Sequence, residues 1–294
     1  MELRGIYPAL LSTFRDDFSF DFDNLRKLVR MLVKRNVHGF YAGGSSSELF
    51  ALTLEERKKA VEITREEADG KPVIVHVGAM NPEDAKALAR HAGECGCQAI
   101  SAIPPFYCKY TWAETATYYR GLMEASGLKM FLYNIPAFTG VSLSTAGYKE
   151  LLETGMVAGV KHTCHNLYEL ERLKNAYPEG IVLSGYDEIF SASQLMGAEG
   201  CIGTSVNAFP EYYQKIDGYL KKGDNGSARK VQTEMNNLLE VFMEVNFFAA
   251  VKHIVSFQGV CTGNCRPPFL PLTPEQKMRL EEAYLRCEKN MASL

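Results

Sequence analysis

The stretch GMVAGVKHTCHN, residues 155–166, shows the pattern that decides the fold, a short apolar run followed directly by polar residues. The letters MVAGV predict a buried β-strand, and the residues after Lys161 are typical of a turn. Lysine is rarely buried without a partner, so a lysine where a strand leaves the core is a candidate functional residue. Similar apolar runs recur along the chain: IYPALLSTF, VHGFYAGG, VIVHVGA, AISAIPP, MFLYNIP, IVLSGYD and GCIGTSV.

Amphipathic stretches separate these runs and predict helices. Between Leu25 and Val33, apolar residues recur at the i, i+3, i+4, i+7 spacing of one helix face. Asn81, before Pro82, is a plausible helix N-cap. Capping-box spacing indicates further helix starts in TLEE at 53–56, TWAE at 111–114 and TPEQ at 273–276.

Eight strand–helix units predict an α/β fold, the (β/α)8 or TIM barrel, with appended C-terminal helices. An open doubly wound sheet is the alternative, but no G-x-G-x-x-G follows any of the predicted strands. Strand-like runs stop near residue 210. We therefore expect a single domain over 1–294, with a barrel core at 1–210 and the final barrel helix and a helical extension at 211–294.

Composition excludes several classes of function. The 294 residues carry a formal net charge of −3, which gives no basic footprint for nucleic acid or a membrane surface. The N-terminus lacks the layout of a signal peptide, and no apolar run approaches the length of a membrane-spanning helix. We expect a soluble, cytoplasmic protein without nucleic-acid or membrane partners.

Metal binding is not expected from the cysteine and histidine patterns. The eight cysteines are expected to be free thiols, because the chain is long and has no secretory signal. CGC at 95–97 and CTGNC at 261–265 do not match paired zinc-ligand spacing. The six histidines form no H-E-x-x-H or comparable set.

A barrel brings the polar residues at its strand ends to one face, where such folds hold their chemistry. These residues are scattered in the sequence and gathered only by the fold. They are Ser45, Ser46 and Ser47 after strand two, Tyr133 on strand five, Lys161 and Thr163 on strand six, Asp187 and Glu188 after strand seven, and Thr204 and Ser205 after strand eight.

Lys161 and Tyr133 suggest covalent carbonyl chemistry. Burial lowers the pKa of a lysine, and a neutral amine can attack a carbonyl to form a Schiff base. A phenol at the same depth on the neighbouring strand can transfer a proton. Alternatively, Lys161 reaches solvent or pairs with an acid, and Tyr133 is a core residue with a satisfied hydroxyl. Strand alternation turns His162 to the opposite side, where we expect it to pack.

Two turns have compositions suited to binding a polar ligand. GGSSSELF, residues 43–50, offers amides and hydroxyls for a carboxylate, although an ordinary flexible turn would look similar. GYDE, residues 185–188, offers neighbouring acceptors for the hydroxyls of a polyol. A solvated acidic loop, or a helix-start charge, is the alternative interpretation.

In combination, these motifs resemble those of the pyruvate-dependent class I aldolase family that includes N-acetylneuraminate lyase and dihydrodipicolinate synthase. YNIPA at 133–137, GVKHT at 159–163 and GGSSSE at 43–48 carry the resemblance. It implies that Lys161 forms an imine with pyruvate, that Tyr133 transfers a proton and that Ser45 and Ser46 hold the pyruvyl carboxylate. It also implies a cofactor-free homotetramer in which Tyr107 contributes across a subunit interface.

The resemblance also separates members of the family. The synthase pattern has an arginine for a second carboxylate where this chain has Phe138. SGYDEIF, residues 184–190, resembles the sialic acid lyase motif, in which Gly185, Asp187 and Glu188 would meet the glycerol-like tail, with Thr163 and Thr204 nearby. This chain departs from that pattern at Ser47, where the lyase turn has glycine, and at Thr204, where a serine is common.

The resulting hypothesis is reversible cleavage of N-acetylneuraminate to N-acetylmannosamine and pyruvate through a Schiff base at Lys161. A related aldolase acting on another 2-keto-3-deoxy sugar acid is the alternative, as is a synthase-like condensation, which Phe138 disfavours. A non-catalytic barrel that binds a keto acid, and a metal-dependent barrel aldolase, are the remaining hypotheses. The last would need a ligand cluster that the sequence does not reveal.

Overall fold

The computed structural model describes residues 3–294, which form eight parallel strands alternating with helices. The strands are β1 (Gly5–Pro8), β2 (Phe40–Ala42), β3 (Val73–His76), β4 (Ala99–Ala102), β5 (Met130–Asn134), β6 (Val157–His162), β7 (Ile181–Ser184) and β8 (Gly200–Gly203). The helices are α1 (Phe22–Lys34), α2 (Leu54–Glu67), α3 (Pro82–Glu94), α4 (Trp112–Ser126), α5 (Pro136–Thr139), α6 (Thr145–Leu152), α7 (Leu167–Ala176), α8 (Phe190–Leu195), α9 (Pro210–Lys221), α10 (Asn225–Met243), α11 (Phe247–Phe257) and α12 (Pro274–Met291).

The strands close into a barrel. From β2 to β8 each strand pairs in parallel with the next one along the chain, and β8 pairs in parallel with β1. At the remaining seam the backbone N–H of Leu10 donates to the Tyr41 carbonyl at 2.9 Å, and Ala9 bridges to Tyr41 in parallel. The predicted (β/α)8 barrel with C-terminal helices is confirmed, and the open doubly wound sheet is excluded.

Strand side chains divide between the barrel interior and the surrounding helices. On β6, Val160 belongs to the layer between strands and helices, whereas Lys161 contacts rings of the interior cluster. His162 points outward, as predicted from strand alternation, and contacts Asn134 and Asn166. The interior cluster consists of Tyr7, Ala9, Tyr41, Ile74, Ala99, Ile103, Phe131, Tyr133, Ile135, Leu183 and Ile202.

The helix starts follow the local signals in the sequence. Thr53, Thr111 and Thr273 each form a reciprocal capping box with the residue three positions on. Asn81 accepts a hydrogen bond from the backbone N–H of Glu83 at the start of α3. None of the helices within residues 3–294 is long and apolar enough to cross a membrane.

A buried ion pair ties the C-terminal helices to the turn after β2. Lys252 of α11 donates to Glu48 Oε1 at 2.7 Å, and both side chains are 1% exposed. The backbone N–H of Arg266 donates to Glu48 Oε2, also at 2.7 Å. Glu48 has a left-handed backbone with φ of 59°, which is uncommon for a residue with a side chain. These contacts fix the turn that carries Ser45 and Ser46.

We predict that Lys252→Met lowers the free energy of unfolding by about 3–5 kcal/mol, because it leaves the Glu48 carboxylate buried without a cation. The double variant Glu48→Gln/Lys252→Met should lose less, since no uncompensated charge remains. Urea unfolding measures both. The matched control is Lys59→Met, whose pairing with Glu62 is exposed and should contribute about 1 kcal/mol or less. Equal losses for the two lysine variants would contradict the account.

Candidate active site

A cavity of about 490 Å³ opens at the carboxyl ends of the strands. It brings together the predicted catalytic and substrate-binding side chains, which are up to about 160 positions apart in sequence. Those that line it are Ser45, Ser46, Tyr133, Lys161, Thr163, Gly185, Asp187, Glu188 and Thr204. Because the fold gathers them, one ligand in this cavity can contact groups from β2, β5, β6, β7 and β8.

Lys161 is buried inside the barrel rather than extended into solvent. The residue is 3% exposed, and Nζ lies 4.0 Å from the ring centre of Tyr133 and 4.2 Å from that of Tyr41. Loss of hydration lowers the pKa of this amine, while the nearby Tyr133 and Asp187 oppose the shift. No carboxylate within residues 3–294 forms an ion pair with it. The neutral, nucleophilic form is therefore favoured relative to that of an exposed lysine.

Tyr133 lies beside Lys161 because the two residues are partners in the β5–β6 register. Its hydroxyl is 3.5 Å from Ser45 Oγ. This places it at the cavity wall, near the turn after β2 that contains Ser45, Ser46 and Ser47, called the serine turn below. The Tyr133 ring contacts the lysine nitrogen, and its hydroxyl can exchange a proton with a group bound at that nitrogen.

The serine turn, which follows β2, contacts the turn after β8 through a side-chain hydrogen bond. Ser46 Oγ and Thr204 Oγ1 are 2.7 Å apart, which links the two turns directly. Ser47 Oγ donates to the Gly44 carbonyl. The left-handed residue of this segment is Glu48 rather than Ser47, so serine at that position requires no unusual backbone angle.

Two buried polar atoms of residues at the cavity have no hydrogen-bond partner within residues 3–294. The Ser205 backbone N–H donates to Asp187 Oδ2 at 2.9 Å, whereas neither Asp187 Oδ1 nor Thr163 Oγ1 forms a hydrogen bond in this part of the chain. Burial raises the pKa of Asp187 to about 6. A Cβ on Gly185 would lie 1.7 Å from Thr163 Oγ1, so only glycine fits there.

The turn after β7 also carries Glu188 and Tyr186, which line the cavity rim. Glu188 Oε1 is 2.9 Å from His165 Nε2, and the His165 ring stacks on Tyr186 with centroids 4.5 Å apart. The rim on this side is therefore polar and held by contacts between neighbouring turns.

Comparison with known proteins places this chain in a family. Residues 2–285 match the model of the dihydrodipicolinate synthetase family. The chain belongs to this family. The N-acetylneuraminate lyase of Citrobacter koseri is 37% identical over 274 residues, which cover 92% of each chain.

Solved structures agree with this family assignment. A catalytic lysine mutant of the Ruminococcus gnavus sialic acid aldolase superposes with a TM-score of 0.96 at 30% identity, covering 99% of this chain and 97% of that one. The Fusobacterium nucleatum N-acetylneuraminate lyase complexed with pyruvate gives a TM-score of 0.92 at 31% identity, covering 97% of each chain. The predicted resemblance to this family of class I aldolases is confirmed.

Tyr107 does not line the cavity. Its side chain is 80% exposed, and together with Phe106 and Tyr110 it borders a separate groove of about 630 Å³. Its contribution across a subunit interface stays a prediction. Phe138 does line the cavity and is 63% exposed, so the position that carries arginine in the synthase pattern offers no charge here.

Sequence reasoning missed the aromatic part of the site. Tyr41 contacts Lys161 Nζ from inside the barrel, and strand alternation along β2 could have revealed this interior position. The C-terminal helices were treated only as an appendage. They and the neighbouring segments supply Met243, Asn246, Phe247, Phe248 and Phe269 to the cavity wall. Asn246 is the N-cap of α11, and an N-cap followed by two aromatic residues was the available signal.

One group of side chains has the composition of a metal site. Ligand atoms of His162, Cys164 and Glu169 lie within 4.8 Å of one another. The His162 ring nitrogens already contact Asn134 Nδ2 and the Asn166 carbonyl, so metal coordination would have to replace one of these contacts. The sequence analysis overlooked this group. All eight cysteines are free, as predicted.

We predict that Lys161 reacts as a neutral amine at lower pH than the exposed lysines, because burial lowers its pKa. Competitive labelling with trace acetic anhydride across a pH series, read for each lysine by peptide mass spectrometry, gives the titration midpoint. The exposed lysines provide the internal reference near their ordinary pKa. A Lys161 midpoint at or above that reference would contradict the prediction.

Proposed function

We propose that this protein is a Schiff-base aldolase that reversibly cleaves N-acetylneuraminate to N-acetylmannosamine and pyruvate. The observation that carries the proposal is the buried Lys161 amine, which pairs with no carboxylate among the described residues and lies beside Tyr133 in an open cavity. The family membership and the names of the similar proteins support the choice of reaction.

The proposed reaction begins with attack by Lys161 Nζ on the C2 ketone of the open-chain sugar acid. Water leaves, and a protonated imine forms. As the C3–C4 bond breaks, the Tyr133 hydroxyl relays the C4 hydroxyl proton by taking it up and passing its own proton to the substrate carboxylate, and the bonding electron pair moves toward the iminium to give an enamine. N-acetylmannosamine departs as the aldehyde. Protonation of the enamine at C3, followed by addition of water, releases pyruvate and restores the amine.

The remaining groups bind the two ends of the substrate. Ser45 and Ser46 hold the carboxylate next to the reacting ketone through their hydroxyls and the amides of their turn. Asp187 and Glu188 accept hydrogen bonds from the hydroxylated tail. Gly185 lies in the same turn, between β7 and these two acids, and also contacts the tail. Thr163 and Thr204 supply further hydroxyl contacts along the chain of the sugar, and all of these side chains line one cavity.

The charge of the cavity favours a substrate with one carboxylate. Lys161 is the only cationic side chain among the described residues that line it, and after imine formation the positive charge stays at this one nitrogen. A diacid would need a second cation, and Phe138 supplies none. The lyase reaction therefore fits better than a synthase-like condensation.

The proposed reaction needs no metal or cofactor, because the iminium accepts the electrons of the breaking bond. We also propose that the protein is a cytoplasmic homotetramer with Tyr107 near a subunit interface. We propose that it binds its small-molecule substrates and binds neither nucleic acid nor a membrane.

The direct test is pyruvate release from N-acetylneuraminate, coupled to lactate dehydrogenase and followed as NADH loss. Lys161→Met is the inactive control. The same assay with 2-keto-3-deoxygluconate, together with condensation of pyruvate with aspartate semialdehyde, covers the alternatives. The proposal requires N-acetylneuraminate to be the best of these substrates. A preference of orders of magnitude for either alternative would reject it.

We predict that Tyr133→Phe lowers kcat for N-acetylneuraminate by about 10²- to 10⁴-fold, the usual contribution of a general acid–base group. The variant keeps the ring that contacts Lys161 Nζ, so pyruvate should still form an adduct that borohydride traps. Steady-state kinetics and adduct mass measure the two effects separately. A kcat within threefold of the wild-type value would remove Tyr133 from proton transfer.

A further inference from the structure

We propose that His165 is a positioning residue that orients Glu188 and thereby sets selectivity for the hydroxylated end of the substrate. This inference rests on the proposed function. It is carried by two contacts of one ring: His165 Nε2 lies 2.9 Å from Glu188 Oε1, and the ring stacks on Tyr186 at 4.5 Å with planes 20° apart.

The location of His165 suits this role. It lies in the turn after β6, four positions beyond Lys161, whereas Glu188 and Tyr186 lie in the turn after β7. Glu188 and Tyr186 line the cavity, but His165 does not. His165 therefore connects the two turns from outside the cavity and acts on a ligand only through the residues that it contacts.

Both turns are held by further contacts, so the ring joins two ordered segments. Asn236 Nδ2 of α10 donates to the Glu188 carbonyl at 2.9 Å. The Leu167 backbone N–H at the start of α7 donates to the His165 carbonyl, also at 2.9 Å. The Glu188 side chain has several rotatable bonds, and the hydrogen bond to His165 restrains it.

Restraint of this side chain should strengthen binding of a hydroxylated tail. A glutamate has many rotamers, and holding one of them before the ligand arrives removes part of the entropy cost of binding. With Oε1 engaged by His165, Oε2 is left to accept from a substrate hydroxyl. Stacking on Tyr186 fixes the plane of the imidazole and hence the direction of the hydrogen bond.

The contribution concerns the far end of the substrate and not the bond that breaks. In the proposed reaction Lys161 and Tyr133 act on the bond that breaks, whereas Glu188 binds the hydroxylated tail. Removal of the His165 hydrogen bond should therefore raise KM for the sugar and leave kcat nearly unchanged. A substrate that ends before the tail should be insensitive to the change.

The experiment uses the condensation direction, in which pyruvate and N-acetylmannosamine have separate KM values. His165→Phe keeps an aromatic ring for Tyr186 and removes the hydrogen bond, whereas His165→Gln keeps an N–H donor and removes the ring. We expect His165→Phe to raise KM for N-acetylmannosamine by about three- to fivefold, a modest effect because the His165 side chain is 65% exposed and water weakens its hydrogen bond to Glu188. KM for pyruvate should stay within twofold, and His165→Gln should recover part of the loss.

Two controls separate positioning from a general disturbance. Glyceraldehyde, an acceptor too short to have the tail, should lose no efficiency with His165→Phe. The matched variant is His253→Phe, because His253 Nε2 contacts Glu281 Oε1 at 2.8 Å between α11 and α12, outside the cavity lining. This variant should leave both KM values unchanged. Thermal unfolding of each variant checks that the fold is retained.

The outcomes distinguish the two proposals. A wild-type protein that does not condense pyruvate with N-acetylmannosamine rejects the proposed function, and the role of His165 with it. An active wild-type protein whose sugar KM is unaffected by His165→Phe rejects only the positioning role. Equal increases in both KM values, or an equal loss with glyceraldehyde, would also reject it.

Discussion

The proposed chemistry depends on the burial of one amine, that of Lys161, among aromatic rings and with no carboxylate of residues 3–294 paired to it. Lys161 enters the barrel interior from β6, where the rings of Tyr41 and Tyr133 both contact its nitrogen. An ammonium group in such a place loses most of its hydration, and cation–π contact replaces only part of it. Burial therefore lowers the pKa of the amine, so the neutral form, which attacks carbonyls, is reached at lower pH than for an exposed lysine. A carboxylate beside the nitrogen would reverse this balance and remove the nucleophile.

The closed barrel makes that placement possible and surrounds it with binding groups. Because the strands are parallel, their carboxyl ends meet, and β2, β5, β6, β7 and β8 each direct polar side chains into one cavity. The C-terminal helices complete this arrangement in two ways. They contribute aromatic residues to the cavity wall, and through Lys252 they hold Glu48 and with it the serine turn.

Much of this could be predicted from the sequence, because the deciding signals are local. Buried strands appear in the sequence as apolar runs, and helix starts are marked by capping residues. A lysine at the end of an apolar run is unusual, because lysine is rarely buried, and this marks it as a candidate functional residue. Thr53, Thr111 and Thr273 became capping boxes as expected. The residues proposed for the site lined one cavity, because a parallel barrel converts strand-end positions into neighbours.

What could not be predicted depends on contacts between distant parts of the chain. Glu48 and Lys252 are 204 positions apart, and neither has a local signal that names the other. To predict the contact of His165 with Glu188, one must know how the turn after β6 lies relative to the turn after β7. Barrel topology brings the two turns near each other, but it does not fix their distance accurately enough to predict a hydrogen bond. Tyr41 and the aromatic residues of α11 resemble ordinary core residues in the sequence. Only their positions in the fold assign them to the cavity.

The most direct measurement of the central claim is the site of covalent capture. The protein is incubated with pyruvate and borohydride, digested, and mapped by tandem mass spectrometry. The account predicts a reduced pyruvyl adduct on Lys161 and on no other lysine. Absence of an adduct, or an adduct confined to a different lysine, would contradict it.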